Sequence, residues 1–334
     1  MGDALTLPAS LAYQALTRGG AVALRRKVLG RWRQWTWRQL RDDVVRIAAA
    51  LAASGIGRGD RVVVGREPRP EALLAALAVQ WLGGVAAPVD TGAPAGSGSA
   101  LSDFVARTGD PTAGAVRILA DPDDAAFAYE IERGGAPRCI RHSDALAGAR
   151  ALIRRASLRP DHDALIPPSL TPDIARAFVG AWLVAGFSLN LPESAATQEV
   201  DRREVAPTVV VGTAGTYAQL RQRVLDGLPP PTTLSRRLAD WALRPDSLDA
   251  GVLDRAAGEL LVRRPLRRVI GLSRVERALV ADAVPEKAVA AFFAGLGVRL
   301  RPLIPADAEP AVCPSLGIVE RSAGLLPAVP EEAS

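Results

Sequence analysis

Apolar residues at Leu40, Val44, Ile47 and Leu51 recur at three- and four-residue intervals, the spacing that gives a helix one hydrophobic face. Thr36 and Gln39 stand where a capping box would open that helix, and Gly55 offers a stop at its far end. The run Arg61 to Val64 then reads as a buried strand. Pro70 suits the first turn of a second helix running to about Leu82, and Val85 to Pro88 makes another short strand. Alternation of this kind builds a parallel sheet covered by helices.

The same pattern resumes further on. Asp163 to Pro167 reads as a strand, Thr171-Pro172 caps and starts a helix through Ala185, and Phe187 to Leu191 is a strand. A strand over Pro207–Gly212 follows, then helices over 214–226 and 252–268, a strand near 276–280, a helix over 286–295 and a strand from Val298. Between Asp90 and Asp121 the residues turn small and loop-like, as in a flexible connector. The expected organisation is an α/β part over 1–90, a connector over 91–120, the remainder of the same domain over 121–320 and a tail over 321–334. Ala72 to Val89 comes nearest to a membrane span, but Gln80, Gly83-Gly84 and Pro88 interrupt it, so no transmembrane segment is expected.

Composition narrows the function classes. At 334 residues and 49% hydrophobic, the chain can bury a sizeable core. Basic residues outnumber acidic ones 41 to 36, and Lys27 and Lys287 are the only lysines. Arginine alongside abundant alanine and glycine is a habit of the whole chain, and no basic run is interleaved with aromatics, so no nucleic-acid partner is expected. Cys139, Cys313, His142 and His162 are too few and too scattered for a disulfide framework or a metal site. Met1 to Leu16 lacks the basic start and apolar core of a secretory signal, so the expected location is the cytoplasm.

Several short segments carry a resemblance. In chain order they are Gly30-Arg-Trp32-Arg-Gln-Trp-Thr36-Trp37-Arg-Gln-Leu40, Gly55-Ile-Gly-Arg-Gly59-Asp60-Arg61, Arg69-Pro70-Glu71 and Gly83-Gly84-Val85-Ala-Ala-Pro88-Val89-Asp90. Ala206-Pro207-Thr208, Leu266 to Val280, and Phe292 to Val298 follow. Together they resemble the adenylate-forming (AMP-binding) superfamily, and within it bacterial long-chain acyl-CoA synthetases. The resemblance implies an α/β fold of the type found in the large N-terminal domain of acyl-CoA synthetases, with parallel-rich sheets covered by helices. It also implies that the family's small C-terminal catalytic domain, with its lysine, is absent.

The family's phosphate-binding signature, Tyr-Thr-Ser-Gly-Thr-Thr-Gly-x-Pro-Lys-Gly, falls on Tyr129 to Cys139 without a gap. A glycine-rich loop binds phosphate because its backbone N–H groups can turn inward and no side chain blocks the approach. Gly134 and Gly135 keep part of that turn, Pro137 keeps the proline and Arg138 keeps a cation in the lysine's place. Glu130, Ile131 and Glu132 replace hydroxyls and a glycine. One carboxylate about 4 Å from a phosphate charge costs ~1 to ~4 kcal/mol, which is roughly one to three decades of affinity. Arg133 and Arg138 can neutralise these acids instead, leaving a salt-bridged surface turn.

Two further motifs are altered. The adenine-binding segment falls on Ala281-Asp282-Ala283-Val284-Pro285, where the glycine is gone and an aspartate has entered. The Tyr-Gly-x-Thr-Glu motif falls on residues 305–309, and only Glu309, the expected metal-side carboxylate, matches. Arg176 reads as a helix-surface arginine, and the acyl-side histidine of the family is replaced near Leu170.

The resemblance therefore implies a catalytically impaired acyl-CoA synthetase-like protein, a pseudoenzyme of acyl metabolism working through binding. A protein partner or homodimer, and an acyl ligand, are the expected associates; no retained cofactor is expected, or ATP and Mg if the family chemistry survives. The alternative is an atypical ATP-dependent long-chain fatty acid–CoA ligase, or an acyl-adenylating half completed by a separate chain. In that case Arg138 would clamp phosphates and Glu309 would hold the metal.

Overall fold

A computed structural model describes residues 5–65, 69–89, 116–129, 138–167, 170, 172–244 and 251–303. Helix α1 (Leu7–Thr17) leads into a hairpin of β1 (Val22–Val28) and β2 (Arg31–Thr36). Its two-residue turn places Leu29 and Gly30 at φ +48° and +74°, the left-handed pair that matches the twist of a tight hairpin. Leucine is an unfavourable residue there, and the Glu193 carboxylate offsets the strain by accepting from the backbone N–H groups of Leu29 (2.6 Å) and Gly30 (3.2 Å).

The helix expected after Thr36 is α2 (Trp37–Ala53), and both halves of its capping box form. Leu40, Val44, Ile47 and Leu51 are fully buried, and Gly55 turns left-handed at φ +81°. Strand β3 (Arg61–Gly65), helix α3 (Pro70–Trp81) and strand β4 (Val85–Val89) follow. Residues 116–120 run beside α3, where Trp81 Nε1 donates to the Val116 carbonyl (2.9 Å).

Strands β5 (Ala125–Tyr129) and β6 (Arg138–Arg141) pair antiparallel and complete a four-stranded sheet in the order β3-β4-β5-β6. Helix α4 (His142–Ala156) leaves β6 directly. Then come β7 (Asp163–Leu165), α5 (Pro172–Ala185), β8 (Ser188–Leu191), α6 (Gln198–Val205), β9 (Val209–Gly212) and α7 (Ala214–Asp226). After α7 lie α8 (Leu234–Ala242), α9 (Val252–Gly258), a π-helical turn (Glu259–Arg263) and α10 (Arg264–Val269). Strand β10 (Arg277–Val280), helix α11 (Lys287–Gly295) and strand β11 (Leu300–Pro302) end the described residues.

The helix expected over 252–268 is thus interrupted. Pro265 has no N–H to give the carbonyl one turn back, and the Arg264 N–H reaches the Glu259 carbonyl, five residues earlier. Seven strands form the larger sheet, in the order β11-β10-β9-β7-β8-β1-β2, parallel throughout except for the β1–β2 hairpin.

One apolar cluster joins both sheets to helices α1 to α5. It contains Leu24, Leu40, Ala78, Ala126, Phe178 and Leu189, and at its centre Trp37 stacks on Trp182 with centroids 5.1 Å apart. Trp182 Nε1 donates to the Ala23 carbonyl (2.9 Å), so its polar atom is satisfied. A second cluster, with Tyr217, Leu272 and Phe293, fills the β9–β10 side. The buried Lys27 Nζ lies 2.9 Å from Asp201 and 2.7 Å from Glu204, tying the hairpin to α6. Hydrogen bonds to Glu204 and Asp201 raise the Lys27 pKa above the ordinary lysine value.

Candidate functional site

Strand order locates the crevice. The chain passes from β7 to β8 on one side, then crosses back to β9 on the other side of β7 and continues outward to β10 and β11. The connections reverse direction between β7 and β9. In open α/β sheets ligands bind beyond the carboxyl ends of the strands at such a reversal. The residues there are Ile166 and Pro167 after β7, Thr213 after β9, and Ala281 and Asp282 after β10.

Gly212 lets α7 close on the sheet: a Cβ there would stand 3.2 Å from the Tyr217 ring and 3.3 Å from Thr216 Cβ. Tyr217 is fully buried beneath this turn, and its hydroxyl donates toward the carbonyls of Val210 (3.2 Å) and Leu279 (3.3 Å), bridging β9 and β10. Burial pushes its phenol pKa above the usual value. The α7 N-terminus starts at this carboxyl end of the sheet, directly after β9.

A helix start leaves several N–H groups without intrahelical partners, which is why such ends attract anions. Here side chains take two of them: Asp282 Oδ1 accepts from the Ala214 N–H (2.7 Å) and Thr213 Oγ1 accepts from the Thr216 N–H (3.0 Å), while the helical ladder itself begins with the Tyr217 N–H on the Thr213 carbonyl (3.2 Å). Thr216 Oγ1 returns a contact to the Thr213 N–H (3.3 Å). An anion at this helix end is worth about 0.3–1 kcal/mol to the helix, and Asp282 already fills that role.

Most of the remaining residues singled out by sequence lie outside the described residues. Gly134, Gly135 and Pro137 lie outside the described residues, in the 130–137 connection between the antiparallel β5 and β6; Arg138 opens β6, its backbone opposite Tyr129. Glu309 also lies outside the described residues. Arg176 is half-buried on α5.

Both histidines are buried and do structural work. His142 Nδ1 accepts from the Leu7 N–H at the start of α1 (3.3 Å), and His162 Nδ1 accepts from the Arg159 N–H (3.2 Å). Burial lowers the His142 pKa to about 4 against a small opposing pull from Asp124. The His162 pKa is lowered too, by burial and then by Arg159. Among the described residues no cluster of three His, Cys, Asp or Glu side chains could hold a metal ion, and no cysteine is a free thiol.

Thr213 and Thr216 were not singled out from the sequence. The signal available was a threonine pair three apart at the end of an apolar run, a helix-start pattern.

A family model described as AMP-binding enzyme matches residues 11–103. A hybrid polyketide–nonribosomal peptide synthetase of Thermothelomyces thermophilus is 42% identical over 73 residues, which are 22% of this chain and 2% of that protein. An uncharacterised protein of Pseudomonas aeruginosa is 43% identical over 58 residues, 17% of this chain and 9% of that protein. The chain therefore spans only a small part of the curated relatives it matches.

Among solved structures, the N-terminal domain of FACL13 from Mycobacterium tuberculosis superposes with a TM-score of 0.62 at 14% identity. That match covers 89% of this chain and 75% of FACL13's. VinN gives 0.56 at 16% identity over 66% of this chain and 64% of its own. A fatty acyl-adenylate ligase of L. pneumophila, solved with acyl adenylate and pyrophosphate, gives 0.54 at 13% identity, over 66% of this chain and 46% of its own. By the match at residues 11–103 and by fold over most of its length, this chain is similar to the adenylate-forming, AMP-binding enzymes and has the architecture of their N-terminal domain.

Proposed function

We propose that this chain keeps the scaffold of an adenylate-forming enzyme but works as a binding or interaction protein rather than as an acyl-adenylating ligase. The observation that carries the reading is the Asp282 carboxylate, 2.7 Å from the Ala214 N–H. It sits in the segment that the resemblance assigns to adenine, and it closes that segment onto the first turn of α7. A purine needs close backbone approach, which glycine permits and an aspartate side chain obstructs. Phosphates nearby would also meet a fixed negative charge, costing ~1 to ~4 kcal/mol at about 4 Å. The residues at this end of the sheet therefore do not fit an adenylate. Glu130 and Glu132 in the phosphate-loop position point the same way.

Calorimetry of the whole chain with Mg·ATP tests the reading. The expected result is no heat up to millimolar nucleotide, with Asp282→Gly recovering some binding. Micromolar binding by the unmodified chain, lost in Arg138→Ala and Glu309→Ala, would overturn it in favour of an atypical ligase or an adenylating half.

A further inference from the structure

Helices α8, α9, the π turn and α10 leave the sheet between α7 and β10 and close on a small cluster of Ala239, Ala242 and Val262. Along α9 to α10 the inward positions are Gly258, Val262 and Arg263. Arg263 is fully buried and donates from Nε to the carbonyls of Ala242 (3.1 Å) and Gly295 (3.0 Å).

The outward positions follow at helical spacing. Val252, Leu253, Leu260, Leu261 and Val269 all face solvent, Leu253 at 85% and Leu261 at 65% exposure. This segment turns a charged side chain inward and its leucines outward, the reverse of a helix bordered only by its own core and water. Helix α8 adds Leu234, 80% exposed, and Leu238. Seven of the fourteen exposed large hydrophobics among the described residues fall within 234–269, and the other seven are scattered along the chain. Isolated exposed leucines are ordinary, but a continuous stripe marks a contact surface.

Charge selects the occupant. Exposed Arg237, Arg255, Arg264 and Arg268 make no ion pair among the described residues, while Asp240 and Glu259 are already taken by Arg236 and Arg267. Asp254 is the one acid left in the described part of the segment. A second copy of the chain would bring arginines against arginines. Apart from Asp254 the exposed large and charged side chains over 252–269 are aliphatic or arginine, without the aromatic anchors that dominate protein–protein hot spots. The stripe spans 252–269, about 27 Å at 1.5 Å per residue.

We propose that this stripe is an interfacial helix that lies flat on an anionic lipid bilayer. Val252, Leu253, Leu260 and Leu261 enter the boundary between headgroups and acyl chains, and Arg264 and Arg268 meet the phosphates. No described helix is long and apolar enough to cross a membrane, so attachment is lateral and reversible. The inference stands apart from the adenine-segment reading and survives if that reading fails.

Co-sedimentation of the whole chain with vesicles tests it. Binding is expected to phosphatidylcholine–phosphatidylglycerol vesicles, weakened by salt, with little to phosphatidylcholine alone. Leu253→Ser with Leu261→Ser should lower partitioning at least tenfold, and Arg264→Gln with Arg268→Gln about fivefold for each arginine removed. All four side chains are exposed, and an unchanged circular dichroism spectrum and melting temperature confirm that each variant folds. Absence of binding, equal binding to neutral vesicles, or unchanged binding by the folded leucine variant would overturn the proposal. So would a self-associated state in solution that the leucine variant dissolves while vesicle binding is absent.

Discussion

Replacing His142 by glutamine should flatten the acid side of this protein's stability profile. His142 opens α4, is fully buried, and accepts at Nδ1 from the Leu7 N–H, where α1 begins. The ring proton therefore sits on Nε2, which has no hydrogen-bond partner. A second proton would have to sit on Nδ1, facing the Leu7 N–H as donor against donor and leaving that N–H buried without an acceptor. Burial holds the pKa at about 4, below the ordinary 6.5, and Asp124 only partly opposes this.

Between those values the unfolded chain binds a proton that the folded chain refuses. Stability is complete above the unfolded value and is lost as pH falls toward the folded one. The gap is worth about 3 kcal/mol in all, of which about 2 kcal/mol is gone near pH 5. The buried His162, also lowered, adds to the same window, and Asp161 and Glu204, both lowered by hydrogen bonds, lose their contributions at more acid pH. The difference between wild type and His142→Gln isolates the one ring, since glutamine keeps an acceptor without titrating. Urea denaturation near pH 8 and near pH 5 measures it. The wild type should lose about 2 kcal/mol more than the variant between the two conditions. Equal losses would refute the argument.

Trp182→Ala removes a fully buried ring stacked on Trp37 and a hydrogen bond to Ala23; a loss of about 3–5 kcal/mol is expected in the same denaturation assay. Thr36→Ala removes the Oγ1 acceptor of the Gln39 N–H, one arm of the capping box at α2, and should cost about 1 kcal/mol, while Thr36→Ser should restore most of it.

Where local signals agreed with the fold, the sequence was legible. The capping box at Thr36, the stripe Leu40–Leu51, Pro70 at the start of α3 and the strand–helix alternation after Asp163 all appear within a few residues of their expected places. What escaped was set by tertiary context. The β1–β2 hairpin turns on Leu29, whose positive φ no propensity favours and which Glu193, far away in sequence, stabilises. Helix α4 begins at His142 directly from a strand, without a capping side chain. The continuous helix expected over 252–268 missed how Pro265 diverts the backbone ladder into a π turn.

The functional region divides along the same line. Motif comparison could say that Asp282 had entered a segment where glycine was expected, because that requires only alignment. It could not say that the carboxylate meets the Ala214 N–H, because that contact joins two turns 68 residues apart, brought together by the pairing of β9 with β10. The contact changes the meaning of the substitution. Without that contact the Ala214 N–H would stay free for a ligand anion; Asp282, though exposed, takes it, and Thr213 Oγ1 takes the N–H of Thr216. The outward leucines of α9 and the π turn carry the same lesson. A helix expected over 252–268 leaves open which way these side chains point, and the packing of Gly258, Val262 and Arg263 inward leaves them toward solvent. A surface built in this way is visible only after the core has been assigned.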